Sequence, residues 1–227
     1  MEKQTESMMS DKAGFVTVAE PFETETVIKK SRFISRVYPV SSEEEAARIT
    51  AAVKKEHYKA THVCSAWILN TVPETMKALD DGEPGGTAGR PILEVLRAKG
   101  IKNALVLVIR YFGGLKLGAG GLVRAYSGGC ADVLDHAELI RREPSRSVSV
   151  ETEYALYQGL KNELEARNIR PISEDFSDMV RMIFEIPDGL EKKFVDLVRD
   201  FTNDSFLFET GEARLIDRPY VDEEMVL

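Results

Sequence analysis

The sequence predicts an α+β protein made of two successive domains, and three observations carry that reading. Short runs of strand character alternate with amphipathic helical segments, and the longest apolar run, Ala104 to Ile109, has the length of one buried strand. The segment Arg141-Arg142-Glu143-Pro144-Ser145-Arg146 changes composition and carries a proline, which marks a domain boundary. Beyond it the patterns follow the order β-α-β-β-α-β, the split βαβ arrangement.

In the first half, Val16 to Ala19, Thr24 to Lys29 and Arg32 to Val40 are expected as three short strands joined tightly. Ser42-Glu43-Glu44-Glu45 reads as a capping box, in which hydroxyl and carboxylate satisfy otherwise free backbone donors. Ala46, Ile49 and Val53 follow on one helical face, and that helix is expected to end near His57. His62 to Leu69 and Met76 to Leu79 read as strands. A glycine-dense turn then covers Asp80 to Gly89. Pro91 suits a first helical turn, where its missing N–H is no loss. Ile92, Leu93, Val95 and Leu96 form the apolar face of a helix ending at Gly100. Ala104 to Phe112 is the clearest strand, and its unbroken apolar character predicts a central position buried on both faces. A glycine loop from Gly113 to Gly121 and a helix from Leu122 to about Ala137 complete the half.

In the second half, Ser147 to Thr152 is expected as a strand and Leu156 to Arg167 as a helix. Ile169 to Phe176 and Met179 to Ile186 form a hairpin around Ser177-Asp178. Leu190 to Phe201 is a helix with Phe194, Leu197, Val198 and Phe201 on one face, and Ser205 to Leu215 is the closing strand. The domains are therefore placed at 15–142 and 143–216, between a flexible leader (1–14) and a tail (217–227).

The chain of 227 residues is long enough for a sizeable core in each domain. Its mixed-charge start lacks the basic-then-apolar layout of a signal peptide, and no run approaches a membrane span of roughly 18 apolar residues, so a cytoplasmic protein with no membrane partner is expected. Two isolated cysteines, Cys64 and Cys130, read as reduced core thiols. The net charge of −8 divides into +2 over residues 1–142 and −10 over residues 143–227. Residues 90–130 hold seven basic side chains and one acidic, Glu94, so an acidic total hides a basic segment.

The strongest chemical signal is Arg110 to Ser127, RYFGGLKLGAGGLVRAYS. Gly113, Gly114, Gly118, Gly120 and Gly121 crowd a strand-to-helix turn, with Arg110, Lys116 and Arg124 beside it. Backbone N–H groups, a helix dipole and flanking cations are the parts of an anion site; a tight glycine connection made for packing alone is the plainer alternative. Walker and dinucleotide templates both fail here. Ala119 and Gly120 stand where a P-loop needs Lys and Ser/Thr, and Val123 stands at the third dinucleotide glycine. Tyr111, Phe112 and Tyr126 bracket the loop. Phe112 is expected in the core, while Tyr111 and Tyr126 are the candidates for a surface role in base stacking.

The second constellation, Asp80, Asp81 and Glu83 followed by Arg90, has three readings: an acidic turn bonding its own backbone, charge pairing with Arg90 or Arg110, or a hard-cation site for Mg²⁺. The first weighs most, no cofactor is expected, and Arg90 is itself a candidate phosphate ligand alongside Arg110, Lys116 and Arg124. His57, His62 and Cys64 lack the further ligands of a zinc site and any oxyanion device for a thiol nucleophile.

These motifs, DDGEPGGTAGRPILEVL and RYFGGLKLGAGGLVRAYS with His62-Val63-Cys64-Ser65-Ala66 upstream, resemble the YigZ/IMPACT family over most of residues 20–130. The resemblance implies a first domain like the second domain of a small-subunit ribosomal protein and domain IV of elongation factor G. It implies a ferredoxin-like second domain similar to domain V of that factor. Eukaryotic members modulate translational control through a ribosome-associated activator of a stress kinase, and the family carries over no catalytic residues. A non-catalytic protein that binds RNA or the ribosome and is linked to translation is therefore expected. The alternative is an enzyme or sensor that takes a nucleotide or phosphorylated metabolite at the glycine loop.

Overall fold

The computed structural model describes residues 14–220 and divides at Arg141/Arg142 into two compact units. The leader expected before residue 14 and the last seven tail residues lie outside the described residues.

The first unit contains β1 (Phe15–Val18), β2 (Phe22–Ile28), β3 (Ser31–Pro39), α1 (Glu43–Glu56), β4 (His62–Leu69), β5 (Thr75–Leu79), α2 (Gly89–Ala98), β6 (Ala104–Tyr111) and α3 (Ala119–His136). Its main sheet has the order β2-β3-β6-β4-β5, every pair antiparallel. β6 is the central strand, and its first seven residues are buried. Alternation sends Ala104, Val106 and Val108 to one side, where they pack with Ile92 and Leu96 of α2 and Leu122, Cys130 and Val133 of α3. Leu105, Leu107 and Ile109 go to the other side, against Ala46 and Val53 of α1 and Trp67 of β4. Each buried Val, Leu or Ile side chain contributes about 1.5–3 kcal/mol by leaving water, so β6 anchors both layers.

The Ser42 hydroxyl accepts the Glu45 N–H at 3.1 Å, as the capping motif predicts. The return bond differs: the Glu45 carboxylate accepts the N–H of Ser41, not of Ser42. The third helix also begins earlier than expected, at Ala119. Gly118, at φ +72°, is its N-cap, and its carbonyl accepts the Leu122 N–H, so three residues expected in the loop form the first helical turn. Positive φ there is open to glycine at little cost.

The segment expected to mark the domain boundary is a strand. β7 (Leu139–Thr152) runs without a break through Pro144. Just before this strand, within the first unit, the Ala19 N–H bonds the Glu138 carbonyl. The second unit continues with α4 (Tyr154–Glu165), β8 (Ser173–Phe176), β9 (Val180–Pro187), α5 (Glu191–Thr202) and β10 (Leu207–Pro219), the expected element order. Its strands lie as β10-β7-β9-β8. Val148, Val150, Val180, Met182, Phe184 and Ile186 meet Leu160, Leu164, Phe194 and Val198 in its core. β10 reaches past Leu215 into the supposed tail, where Asp217 accepts two bonds from Arg142, at 2.6 and 2.8 Å.

Candidate functional site

Strand register brings the glycine loop, the acidic turn and two further connections to one end of the first sheet. Ile28 pairs Ser31 around a two-residue turn at Lys29-Lys30. Arg32 pairs Tyr111, and both Phe33 and His62 pair Arg110. The end of β6, the start of β4 and the β2–β3 turn therefore share an edge. The α1–β4 connection joins them, because the Thr61 N–H bonds the Arg110 carbonyl and the Thr61 hydroxyl accepts the Phe112 N–H.

Arg110, expected to face a phosphate, is enclosed instead. It alternates onto the α2/α3 side of the sheet and is 5% exposed. Its Nη1 donates to Glu83 Oε1 at 2.6 Å, and its Nη2 lies 3.4 Å from the Ser31 hydroxyl. The guanidinium sits 5.4 Å from the ring centroids of Phe33 and Phe112, and its buried Nε has no partner among the described residues. Tyr126 is not a surface aromatic either. It is fully buried, its hydroxyl donates to the same Glu83 oxygen at 2.8 Å, and its ring meets Phe33 edge-on. Burial raises the Tyr126 hydroxyl far above its ordinary value, so it stays a donor. One carboxylate thus neutralises a cation and fixes a phenol inside the core. Glu83 fulfils the charge-pairing reading of the acidic turn with respect to Arg110.

The two aspartates have other partners. Asp80 accepts the N–H groups of Gly86, Ala88 and Gly89 at 2.7, 3.0 and 2.8 Å, closing the turn onto the start of α2. Burial raises its carboxyl, but the three amides outweigh burial and hold it below the ordinary value. Asp81 accepts the Val63 N–H at 2.7 Å and pairs Lys54 at 2.5 Å. Burial raises it as well, and these partners again leave it lowered. Arg90 pairs Glu94 one turn along exposed helix, not the acidic turn. Among the described residues, no group of three or more His, Cys, Asp and Glu is gathered as a metal site. Cys64 is buried, with its thiol 2.9 Å from the Asp80 carbonyl. Burial above all, against the bond from Tyr126, pushes its pKa up to about 12, which makes it a poor nucleophile at neutral pH.

What remains open is a set of cations. Lys29, Lys30, Lys59, Lys116 and Arg124 are exposed and have no carboxylate partner among the described residues. The glycine motif points to Lys116 and Arg124. The Arg124 guanidinium lies over the first turn of α3, 4.0 Å from where a Cβ on Gly120 would sit. That turn has no side-chain cap and no acidic residue, so its N–H groups are left without a side-chain acceptor. Nothing in the motif points to Lys29 and Lys30. Both have positive φ, 45° and 64°. A two-residue hairpin turn requires this geometry and normally fills it with Asn-Gly. Gly113 locks that turn to the glycine loop, since a Cβ there would fall 1.9 Å from the Lys30 carbonyl oxygen. Gly114, at φ +85°, follows in the open part of the loop.

The aromatics exchange expected places. Phe112, expected in the core, is 47% exposed, because β6 ends at Tyr111 and the chain has left the sheet. Tyr111 is half-buried, with its hydroxyl 2.8 Å from His57 Nδ1 and Arg32 over its ring. Tyr58, which no motif marks, is 75% exposed, with the Lys59 ammonium over its ring.

Comparison with known proteins follows the same division of the chain. Residues 29–134 match the Impact N-terminal domain, and residues 150–205 match a domain of unknown function, DUF1949. The IMPACT family member YvyE of Bacillus subtilis is 36% identical over 90% of this chain and 94% of its own length. The chain belongs to the IMPACT family. The IMPACT family member YigZ of Escherichia coli is 34% identical over 85% of this IMPACT-family chain and 93% of its own. A crystal structure described as that of a hypothetical protein covers 86% of the IMPACT-family chain and 96% of its own, at 32% identity and a TM-score of 0.56. The Impact N-terminal match spans every residue of the open end, from Lys29 to Arg124. No helix among the described residues is long and apolar enough to cross a membrane.

Proposed function

We propose that this IMPACT-family protein binds RNA through its phosphate backbone at the open end of the first unit, without chemistry of its own, and that it acts in translation, on or near the ribosome. The observation that carries the reading is that Lys29, Lys30, Lys59, Lys116 and Arg124, all exposed and without carboxylate partners among the described residues, lie on the connections at one end of the first sheet, where α3 starts uncapped. Cations left unpaired on a protein of net charge −8 are available to an external anion. The exposed aromatics Phe112 and Tyr58 among them favour nucleic acid over a small phosphorylated metabolite. The link to translation rests on the family resemblance. So does a first unit folded like domain IV of elongation factor G. The strand order β10-β7-β9-β8 supports a ferredoxin-like second unit.

The test is a salt titration of RNA binding by fluorescence anisotropy. Five phosphate contacts predict a log–log slope of about −3 to −4 on a single strand. Charge reversal at Lys29, Lys30, Lys116 and Arg124 together abolishes binding, whereas Lys192→Glu, an exposed lysine of the second unit, leaves it intact. Undiminished affinity in the fourfold variant overturns the reading.

A further inference from the structure

The open cations explain attraction to any polyphosphate, but they do not explain Phe112. Phe112 is 47% exposed, yet its ring is held against the buried Arg110 guanidinium rather than left loose. Its surroundings are built, not loose. Its N–H is held by Thr61, and the next residue, Gly113, is seated against the β2–β3 turn and donates to the Ser31 hydroxyl at 3.2 Å. The Arg110 guanidinium lies over its ring at 5.4 Å. That guanidinium is fixed by Glu83, which Tyr126 fixes in turn. One side of the ring is therefore backed by a rigid buried network, and exposed area remains for a partner. Lys30, on whose backbone Gly113 packs, and Leu115 and Lys116, which follow in the loop, are exposed.

We propose that Phe112 is a stacking platform for one unpaired base, so that the basic end recognises single-stranded or looped RNA rather than a regular duplex. This rests on the basic-surface reading above. A duplex buries its base faces in its own stack and offers the ring nothing planar, while a single strand can splay a base onto it. The lysines of the β2–β3 turn and Arg124 then hold the phosphates on either side. The buried Glu83–Arg110–Tyr126 network positions the ring and touches no nucleotide.

The experiment compares a fluorescein-labelled oligoadenylate with an adenine–uracil duplex of the same length, using the full chain. Phe112→Ala is expected to weaken oligoadenylate binding roughly five-fold to a hundred-fold, with duplex affinity and salt slope unchanged. Phe112→Leu keeps an apolar cover over Arg110 and is expected to lose affinity in the same way, which separates stacking from folding. Phe112→Trp is expected to bind like the native chain, with its indole fluorescence quenched by the oligonucleotide; the native tryptophan, Trp67, is 7% exposed and stays silent. Native-like oligoadenylate affinity in both Ala and Leu variants, or equal loss on the duplex, overturns the platform and leaves the basic surface standing. Failure of the native chain to bind either RNA overturns both.

Discussion

Glu83 shows how much one side chain settles at this end of the molecule. Its oxygen meets both Arg110 and Tyr126, and both are buried. Glu83→Ala strands a buried guanidinium and is expected to cost about 3–5 kcal/mol in urea unfolding. Glu83→Gln, which keeps the acceptor, is expected to cost less. Asp80 gives a pH-dependent counterpart. Its carboxyl is depressed when folded, so its contribution is complete above the ordinary value of 3.8 and is lost as the pH falls through the lower folded value. Asp80→Asn is expected to flatten that acid limb of the stability profile, measured by thermal melts across acidic pH. The acidic turn was legible as a turn because Asp in that context bonds backbone. Pairing with Arg110 was one reading of that turn, but the side of the sheet that Arg110 takes was not legible. Its face depends on pairing with Phe33 and His62, and no local spacing reports that register.

At the scale of elements, strands and helices follow from periodicity, and the departures gather at their ends. Phe112 is one residue beyond the last paired residue of β6, and that single step moves it from expected core to solvent. Gly120 and Gly121 read as loop because glycine disfavours helix, yet an N-cap at Gly118 sets them in the first turn. Lys29-Lys30 carries no hairpin signature, since a tight turn of this kind favours Asn-Gly, and so the sequence does not announce it. Restoring the usual hairpin pair makes a clear trade: the double change Lys29→Asn/Lys30→Gly is expected to stabilise the fold by about 1 kcal/mol through relief of backbone strain. The same change is expected to make the RNA salt slope shallower by about one to two. Chemical denaturation and anisotropy on one sample check both. Gly113→Ala is expected to lower stability and RNA affinity together, because the Lys30 backbone must move to admit the methyl group.

At the scale of the whole molecule, charge is segregated along the chain. The excess acid lies in residues 143–227, while Lys29, Lys30, Lys59, Lys116 and Arg124 lie in the first unit. RNA binding by a protein of pI near 5.1 is therefore expected to fall with added salt, as for a basic protein, and the bulk charge does not foretell it. The change of composition after Arg141 was visible in the sequence. The strand running through it was not, because proline and clustered charge argue against strand when pairing partners are unknown.

That strand has a practical consequence. Arg141, Arg142 and Arg146 offer trypsin three cleavage points at the place where a two-part chain is ordinarily cut. In β7 their peptide bonds are held extended within a sheet, with Arg142 clamped by Asp217. Brief digestion should therefore spare the seam and leave the two halves joined, so separating them calls for genetic truncation rather than an enzyme.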